Sequence, residues 1–249
     1  MRDANPQTIY LKDYTVPDYL IHSVDLNFTL DEECTRVISR LTLSRNPASQ
    51  TGDTALILAG ENLTLISVVL NDDNELTEQH YLQTQDSLII HEVPQHRSFV
   101  LTIENTVNPK ANTALEGLYL SNSMLCTQCE AEGFRKITYF LDRPDVMAKF
   151  TTTLMGDKKR YPVLLSNGNK IAQGDMSDNR HWVTCLHWLP GNSTALKTAL
   201  SRNPVAPSVC RFLLKSTIWI NAHTPCSLSK MPCAGMKRSM AENTIWIYT

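Results

Sequence analysis

Thr113–Val146, TALEGLYLSNSMLCTQCEAEGFRKITYFLDRPDV, is the stretch around which the rest of the chain reads as scaffold. It sets Gln128, Glu130, Glu132, Arg135, Asp142 and Arg143 among two cysteines, several aromatics and the backbone punctuation of Gly117, Gly133 and Pro144. Working outward, the preceding residues alternate. Val24, Leu26, Phe28 and Leu30 are separated by polar neighbours, the period of a strand with one buried face. Asp31-Glu32-Glu33 makes a turn, and residues 37–43 resume the alternation. Further strands are predicted over 54–58, 63–70, 88–91 and 99–104, with Asn71-Asp72-Asp73-Asn74 and Pro94-Gln95 as turns. No amphipathic helix precedes residue 145. Beyond it, residues 148–154 and 161–165 are strand-like, Ser166-Asn167-Gly168-Asn169 reads as a hairpin turn, and His181-Trp182-Val183 closes the series. Short strands roughly every 8–12 residues predict an all-β fold, an antiparallel sandwich or saddle, followed by an irregular C-terminal tail.

Composition bounds the function. The 249 residues allow one large domain or two small ones. With 42% hydrophobic and 19% charged residues and a net charge of −2, nothing favours nucleic acid or an anionic membrane as partner. No apolar run approaches the roughly 18 residues of a membrane span. The opening MRDANPQTIYLKDY lacks the apolar core of an export signal, so the expected compartment is the cytoplasm. Seven cysteines, an odd number, then fit reduced thiols better than disulfides.

The averages conceal a break. Residues 185–249 hold seven Lys/Arg and a single acid, Glu242, whereas residues 1–184 hold 16 Lys/Arg against 24 Asp/Glu. Four of the seven cysteines (Cys185, Cys210, Cys226, Cys233) also fall in this last quarter, where apolar residues keep neither a strand nor a helix period. The expected boundaries are therefore 1–184 for a β domain and 185–249 for a nonnative tail.

Several motifs carry chemistry on paper. Cys126-Thr127-Gln128-Cys129 is a CxxC, which a redox pair or half a zinc site would use. It lacks the strand-to-helix setting of the first and the second ligand pair of the second, so pocket-wall or buried thiols fit better. His91-Glu92-Val93-Pro94-Gln95-His96 has one residue too many for H-E-x-x-H, and Pro94 would break the helix that puts both histidines on one face. No G-x-S-x-G, P-loop or G-x-G-x-x-G is present. Gln128 and Glu130, two residues apart, point the same way if extended, so amide and carboxylate can converge on an ammonium group. From residue types alone, a solvated loop carboxylate is the better reading. Arg135, Asp142 and Arg143 read as one salt-bridge network bracing the segment, of modest worth if exposed.

At these residues the chain resembles a known family. NTALEGLYLSNSMLCTQCEAEGFRKITYFLDRPDVMAKF, then YPVLLSNGNKIAQG and RHWV, closely resembles the N-terminal domain of the bacterial aminopeptidase N family, gluzincin-type zinc aminopeptidases. The likeness runs in order from about Tyr14 to Val183, and CTQCEAEGFR and YFLDRPDV are its most specific parts. It implies a β-saddle. It also implies that Glu130 helps hold a substrate's free α-amine while Gln128 lines the first side-chain pocket, which reverses the bland reading. The family's zinc is held by H-E-x-x-H and a downstream Glu, with a G-x-M-E-N loop nearby. Neither motif is in this chain, and Met240-Ala241-Glu242-Asn243 echoes the loop in the wrong order. Zinc is thus the parent family's cofactor and peptide N-termini its partners, and none of the metal is expected to bind here.

After Val183 the resemblance stops where the family continues through a Pro-rich link into a strand like YLFALVAG. Residues 184–193, TCLHWLPGNS, can be written ACC TGT TTG CAC TGG TTG CCG GGA AAT TC after a T. Regrouped from that T, the letters spell YLFALVAGKF. Residues 235–248, GMKRSMAENTIWIY, can likewise be written so that the other frame reads WDEEEYGREYDLDIY. Two family-like segments, in order and in one alternative frame, predict a small deletion near codon 184 and an out-of-frame tail. The expectation is a truncated aminopeptidase N that is inactive alone, with a noncatalytic binding module as the alternative and a CxxC metal or redox protein as a third class.

Overall fold

The structure is a computed structural model that describes residues 10–130, 132–188 and 199–201. The chain divides into two units, 1–207 and 208–249, and every described residue lies in the first. The expected tail is therefore within view only as Cys185–Trp188 and Ala199–Ser201; the Met240–Asn243 echo lies outside the described residues.

Among the described residues there is no α-helix. A 3-10 turn at Leu11–Asp13 precedes ten strands: β1 Tyr19–Thr29, β2 Thr35–Arg45, β3 Leu56–Ala59, β4 Thr64–Leu70, β5 Asn74–Glu75, β6 Tyr81–Gln83, β7 Ser87–Ile90, β8 Phe99–Val107, β9 Gly117–Ser121 and β10 Met124–Gln128. After a second 3-10 turn at Phe134–Lys136 come β11 Lys149–Asp157, β12 Val163–Leu164, β13 Asn169–Asp175, β14 Arg180–Trp188 and β15 Ala199–Ser201. They form an eight-stranded sheet ordered β13-β14-β11-β1-β2-β8-β4-β5, a four-stranded sheet β12-β15-β10-β9 and a three-stranded sheet β3-β7-β6. The all-β expectation holds, with one departure from a purely antiparallel fold: β1 and β11 run parallel.

The alternation seen in the sequence becomes rows across the large sheet. Phe28 lies between Leu154 and Val37, and Val37 faces Asn105 in turn. One row further, Leu26 lies between Thr152 and Ser39; the next sets Val24 between Phe150 and Leu41. Cross-strand partners share a face, and Val24, Leu26, Phe28, Val37 and Leu41 are at most 2% exposed. Burying each such side chain is worth about 1.5–3 kcal/mol. The opposite face is polar and wet, with Arg36 paired to Glu104 and Arg40 to Asp72, as antiparallel sheets allow. β1 starts five residues earlier than its alternation predicts, at Tyr19 rather than Val24. A bulge between Ile21 and Ser23 explains this: Tyr19 and Ile21 are buried in odd positions and Val24 onward in even ones. An extra residue shifts the parity, and a period-2 search loses the strand there.

The expected turns at Asp31–Glu33 and Asn71–Asn74 are present. Asp31 Oδ1 accepts from the N–H groups of Glu33 and Cys34, and Asn71 and Asp72 take the left-handed conformation that a tight hairpin needs. The hairpin turn predicted at Ser166–Asn169 is corrected. Its flanking strands belong to different sheets, β12 to the four-stranded and β13 to the eight-stranded one, so the segment is a crossing between sheets. Gly168 is required for a different reason: at φ +87° it passes beneath β14 so closely that a Cβ would lie 2.3 Å from the Leu186 carbonyl oxygen. β14 itself runs past Val183 to Trp188, in unbroken register with β11.

Candidate functional site

Thr113–Val146 begins as a hairpin. β9 and β10 pair along all five residues of each, from Gly117 opposite Gln128 to Ser121 opposite Met124. Asn122 and Ser123 turn the corner with φ of 46° and 65°, the left-handed pair of a two-residue turn. Along β10 and just beyond it, Leu125, Thr127 and Cys129 are buried, whereas Cys126 and Gln128 are half-buried and Glu130 is exposed. Gln128 and Glu130 are thus the more exposed residues on either side of the buried Cys129, with Glu130 in the bend just past the end of β10. The Gln128 Nε2 reaches back to the Glu130 carbonyl oxygen at 3.5 Å, a long contact that keeps amide and loop together.

The same parity splits the CxxC. Cys129 is fully buried, and Cys126, on the opposite side, is a free thiol whose pKa is pushed up to about 11 by burial. A thiol held protonated is a poor nucleophile. His91 to His96 lies in irregular chain between β7 and β8, so its histidines share no helix. Among the described residues no three His, Cys, Asp or Glu side chains gather as a metal-ligand set.

Beyond Glu130 the chain folds over the large sheet. Phe134 and Phe140 pack edge to face at 4.7 Å, and both rest on Phe150 of β11, at 6.0 and 6.2 Å. The buried Asn105 amide donates to the Ile137 carbonyl at 3.0 Å, fastening this cover to β8. Ala59 of β3 exchanges two backbone hydrogen bonds with Phe140, and Gln83 of β6 donates to the Tyr139 hydroxyl. The segment is thus gripped by the large sheet below and the three-stranded sheet beside it.

Asp142 ties the loop shut. One carboxylate oxygen accepts from the Gly133 N–H at 2.9 Å, the Arg135 N–H at 3.2 Å and the Arg135 Nε at 2.6 Å. The side chain is 2% exposed. Arg135 also donates to Glu132 at 2.6 Å and to the Asp142 carbonyl at 3.2 Å. The single network expected of Arg135, Asp142 and Arg143 is in fact two. Arg143 pairs with Asp145 at 2.7 Å and donates to the Thr15 carbonyl, holding the N-terminal segment instead. The buried half is the part that the sequence undervalued, because residue types alone do not tell a solvated carboxylate from a buried one. Glu61, Lys136 and Glu116 extend the polar knot, with the Lys136 ammonium 3.5 and 3.3 Å from the two carboxylates. A cavity of about 290 Å³ lined by Asn62, Val107, Asn112, Thr113, Leu118 and Lys136 lies on this side of the segment; neither Gln128 nor Glu130 lines it.

The described residues thus form an all-β scaffold that presents an amide and a carboxylate at the end of β10. Residues 19–188 match the peptidase M1 N-terminal domain, and the chain belongs to that family. It is 50% identical over 178 residues to aminopeptidase N of Escherichia coli, and 41% identical over 183 residues to aminopeptidase N of Caulobacter vibrioides. These alignments take in 72% and 74% of this chain but 20% of each relative, so the chain spans about a fifth of their length. Among solved structures, an aspartic acid complex of Legionella pneumophila aminopeptidase A superposes with a TM-score of 0.72 at 36% identity, covering 77% of this chain and 22% of that one. An M1 zinc metallopeptidase of Deinococcus radiodurans shares the fold, with a TM-score of 0.62 at 15% identity over 74% of this chain and 42% of the other.

Proposed function

We propose that this chain is the substrate-amine-recognising N-terminal domain of an M1 aminopeptidase, whose whole enzyme removes N-terminal residues from peptides with zinc. The observation that carries this reading is the placement of Gln128 and Glu130 as the accessible residues around buried Cys129, at a strand end braced by the Asp142 knot, within the matched region. Glu130 takes the free α-ammonium through charge-assisted hydrogen bonds, and Gln128 lines the pocket for the first side chain. A fixed anion there admits a chain terminus and rejects an internal, neutral peptide N–H. Zinc, its ligands and the general base have no counterpart in these 249 residues, so the purified chain with added zinc is inactive. Turnover of an aminoacyl anilide above a Glu130→Ala control would contradict this. The positive test grafts residues 14–183 in place of the equivalent part of E. coli aminopeptidase N. The chimera is expected to be active, and Glu130→Ala in it to lower kcat/KM about ten- to a hundredfold, the worth of a hydrogen bond to a charged group. An unchanged kcat/KM removes Glu130 from the site.

Residues 185–249 we read as out of frame. The loss of acids, the crowding of cysteines and the two family-like segments in one alternative frame support this. So does His187: its ring fills a core position on β14 with Nδ1 unpartnered, where Val183 and Cys185 before it are apolar. The nucleotide sequence from codon 175 onward tests it, and a clean frame with no aminopeptidase coding in another register removes the idea.

One feature favours a second reading, a noncatalytic binding module. Ile57 and Leu82 both pair with Ile89 and are each 52% exposed, an apolar row on the small sheet. A specific, saturable protein partner lost on Ile57→Lys would support it, and aggregation without saturation would not.

A further inference from the structure

The eight-stranded sheet ends in two unlike edges. β5 closes one with two residues, which offer little to pair with, whereas β13 closes the other with seven, Asn169–Asp175. Among the described residues β13 pairs with β14 alone, so its outer side presents backbone N–H and C=O groups to another strand. No proline interrupts it. Proteins guard such edges with lysines and bulges, and β13 has both, in Lys170 and the extra residue at Ile171. Both guards, however, fit an inverted copy of the same strand.

Two β13 strands related by a twofold axis run antiparallel, and residues opposite each other share a face of the joint sheet. Lys170 and Asp175 are five positions apart, an odd separation that puts them on opposite faces of a regular strand. The bulge removes that obstacle. Lys170 stands opposite Cys185 and Asp175 opposite His181, four positions apart on β14, with Gln173 opposite Val183 midway between. Lys170, Gln173 and Asp175 therefore share a face. A twofold axis at Gln173 then sets Lys170 against Asp175 of the second copy at both ends, and Ala172 against Gly174 between them. The charges suit this register. Lys170 donates to a neutral group, the Gln173 amide oxygen at 2.7 Å, and forms no ion pair among the described residues. Asp175 takes the Lys158 ammonium at 2.7 Å on Oδ2, and both side chains are exposed, so the carboxylate stays open to a second cation. Ala172 and Gly174 carry nothing that would hold the two backbones apart.

We propose that β13 is a dimerisation edge, which joins two copies of this chain into one continuous sheet about a twofold axis at Gln173. A straight foreign strand meets the same edge with neither a matching bulge nor a carboxylate opposite Lys170, and this is the source of selectivity for a second copy. The inference rests on the β13 ladder and its charges, and on neither the amine-recognition nor the out-of-frame reading.

Sedimentation equilibrium of the full chain, with its thiols kept reduced, is expected to show a monomer–dimer equilibrium that weakens in high salt. Lys170→Glu sets two carboxylates against each other at both ends of the dimer, and Asp175→Lys does the same with two ammonium groups. Each variant alone is expected to dimerise about tenfold more weakly. Mixed in equal amounts, the two regain opposite charges at both ends and are expected to recover the unaltered affinity as a dimer of one copy of each. Hydrogen exchange on the unaltered chain gives a readout that does not depend on either variant folding: dilution from dimer to monomer is expected to speed exchange in β13 and leave β5 unchanged. A chain that stays monomeric, a dimer that neither variant weakens, a mixture no tighter than its components, or β13 exchange indifferent to dilution overturns the edge.

Discussion

Asp142→Ala is expected to destabilise the domain by about 3–5 kcal/mol, the cost of removing one partner from a buried ion pair. The carboxylate is nearly inaccessible, and its loss leaves the Arg135 guanidinium with only the more exposed Glu132 at 2.6 Å and the Gly133 and Arg135 N–H groups without an acceptor. Gly133 also sits at φ +147° with a Cβ position 3.1 Å from the Gln128 carbonyl, so the loop cannot easily refold around the gap. The comparison is Arg143→Ala. Arg143 and Asp145 are 35% and 29% exposed, and pairs of that kind contribute roughly 0–1 kcal/mol. Urea unfolding of the two variants measures the contrast. If Asp142→Ala costs no more than Arg143→Ala, the knot is not what holds the segment. Asp142→Asn, which keeps the shape and one acceptor oxygen, is expected to fall between them.

The second large effect is a pH dependence centred on His187. The ring is 9% exposed and stacked on Phe150, with centroids 5.0 Å apart and planes 9° from parallel. Nδ1 has no partner, and burial pushes the pKa down to about 4 from the ordinary 6.5. The unfolded chain therefore takes up a proton at a pH where the folded one still refuses it. This contribution is complete above pH 6.5, declines as pH falls toward 4, and is then constant. At about 1.4 kcal/mol per pKa unit, its full size is about 3 kcal/mol. Asp18 and Asp31 respond in a lower window. Hydrogen bonds, from the Ser49 hydroxyl to Asp18 and from the Glu33 N–H to Asp31, hold their carboxyls below 3.8, and what they add is lost as pH drops through those lowered values. His187→Phe keeps an aromatic ring on Phe150 and abolishes the upper window. Unfolding of both proteins above pH 6.5 and near pH 4 decides the matter, because a stability difference that does not change with pH leaves His187 without this role.

How far the sequence could be read depended on what each strand buries. β1, β2, β8 and β11 have one buried face, so Val24 to Leu30, residues 37–43, 99–104 and 148–154 announced themselves by alternation. β13 has no buried face, with Ile171 57% exposed at its bulge, and so shows no period to read. β9 and β10 carry apolar side chains on both sides, and β12 offers only two residues. The parallel pairing of β1 with β11 joins residues more than a hundred positions apart, and nothing local in either strand specifies it.

The candidate site divides in the same way. Spacing puts Gln128 and Glu130 on one side only while the chain stays extended, and Glu130 lies in the bend just past the end of β10. Spacing also disqualified His91 to His96 as a helical ligand set, because Pro94 acts locally. Burial is not local. Only the packed sheets show that Asp142 is enclosed while Arg143 is not, that Cys129 faces the core and Cys126 does not, and that an imidazole at position 187 is sealed against Phe150. Each of these turns on which distant strand covers the residue. The sequence by itself thus determined the all-β character of the fold. The tertiary structure decided how firmly the strand end with Gln128 and Glu130 is held, since desolvation depends on neighbours that the chain brings together only on folding.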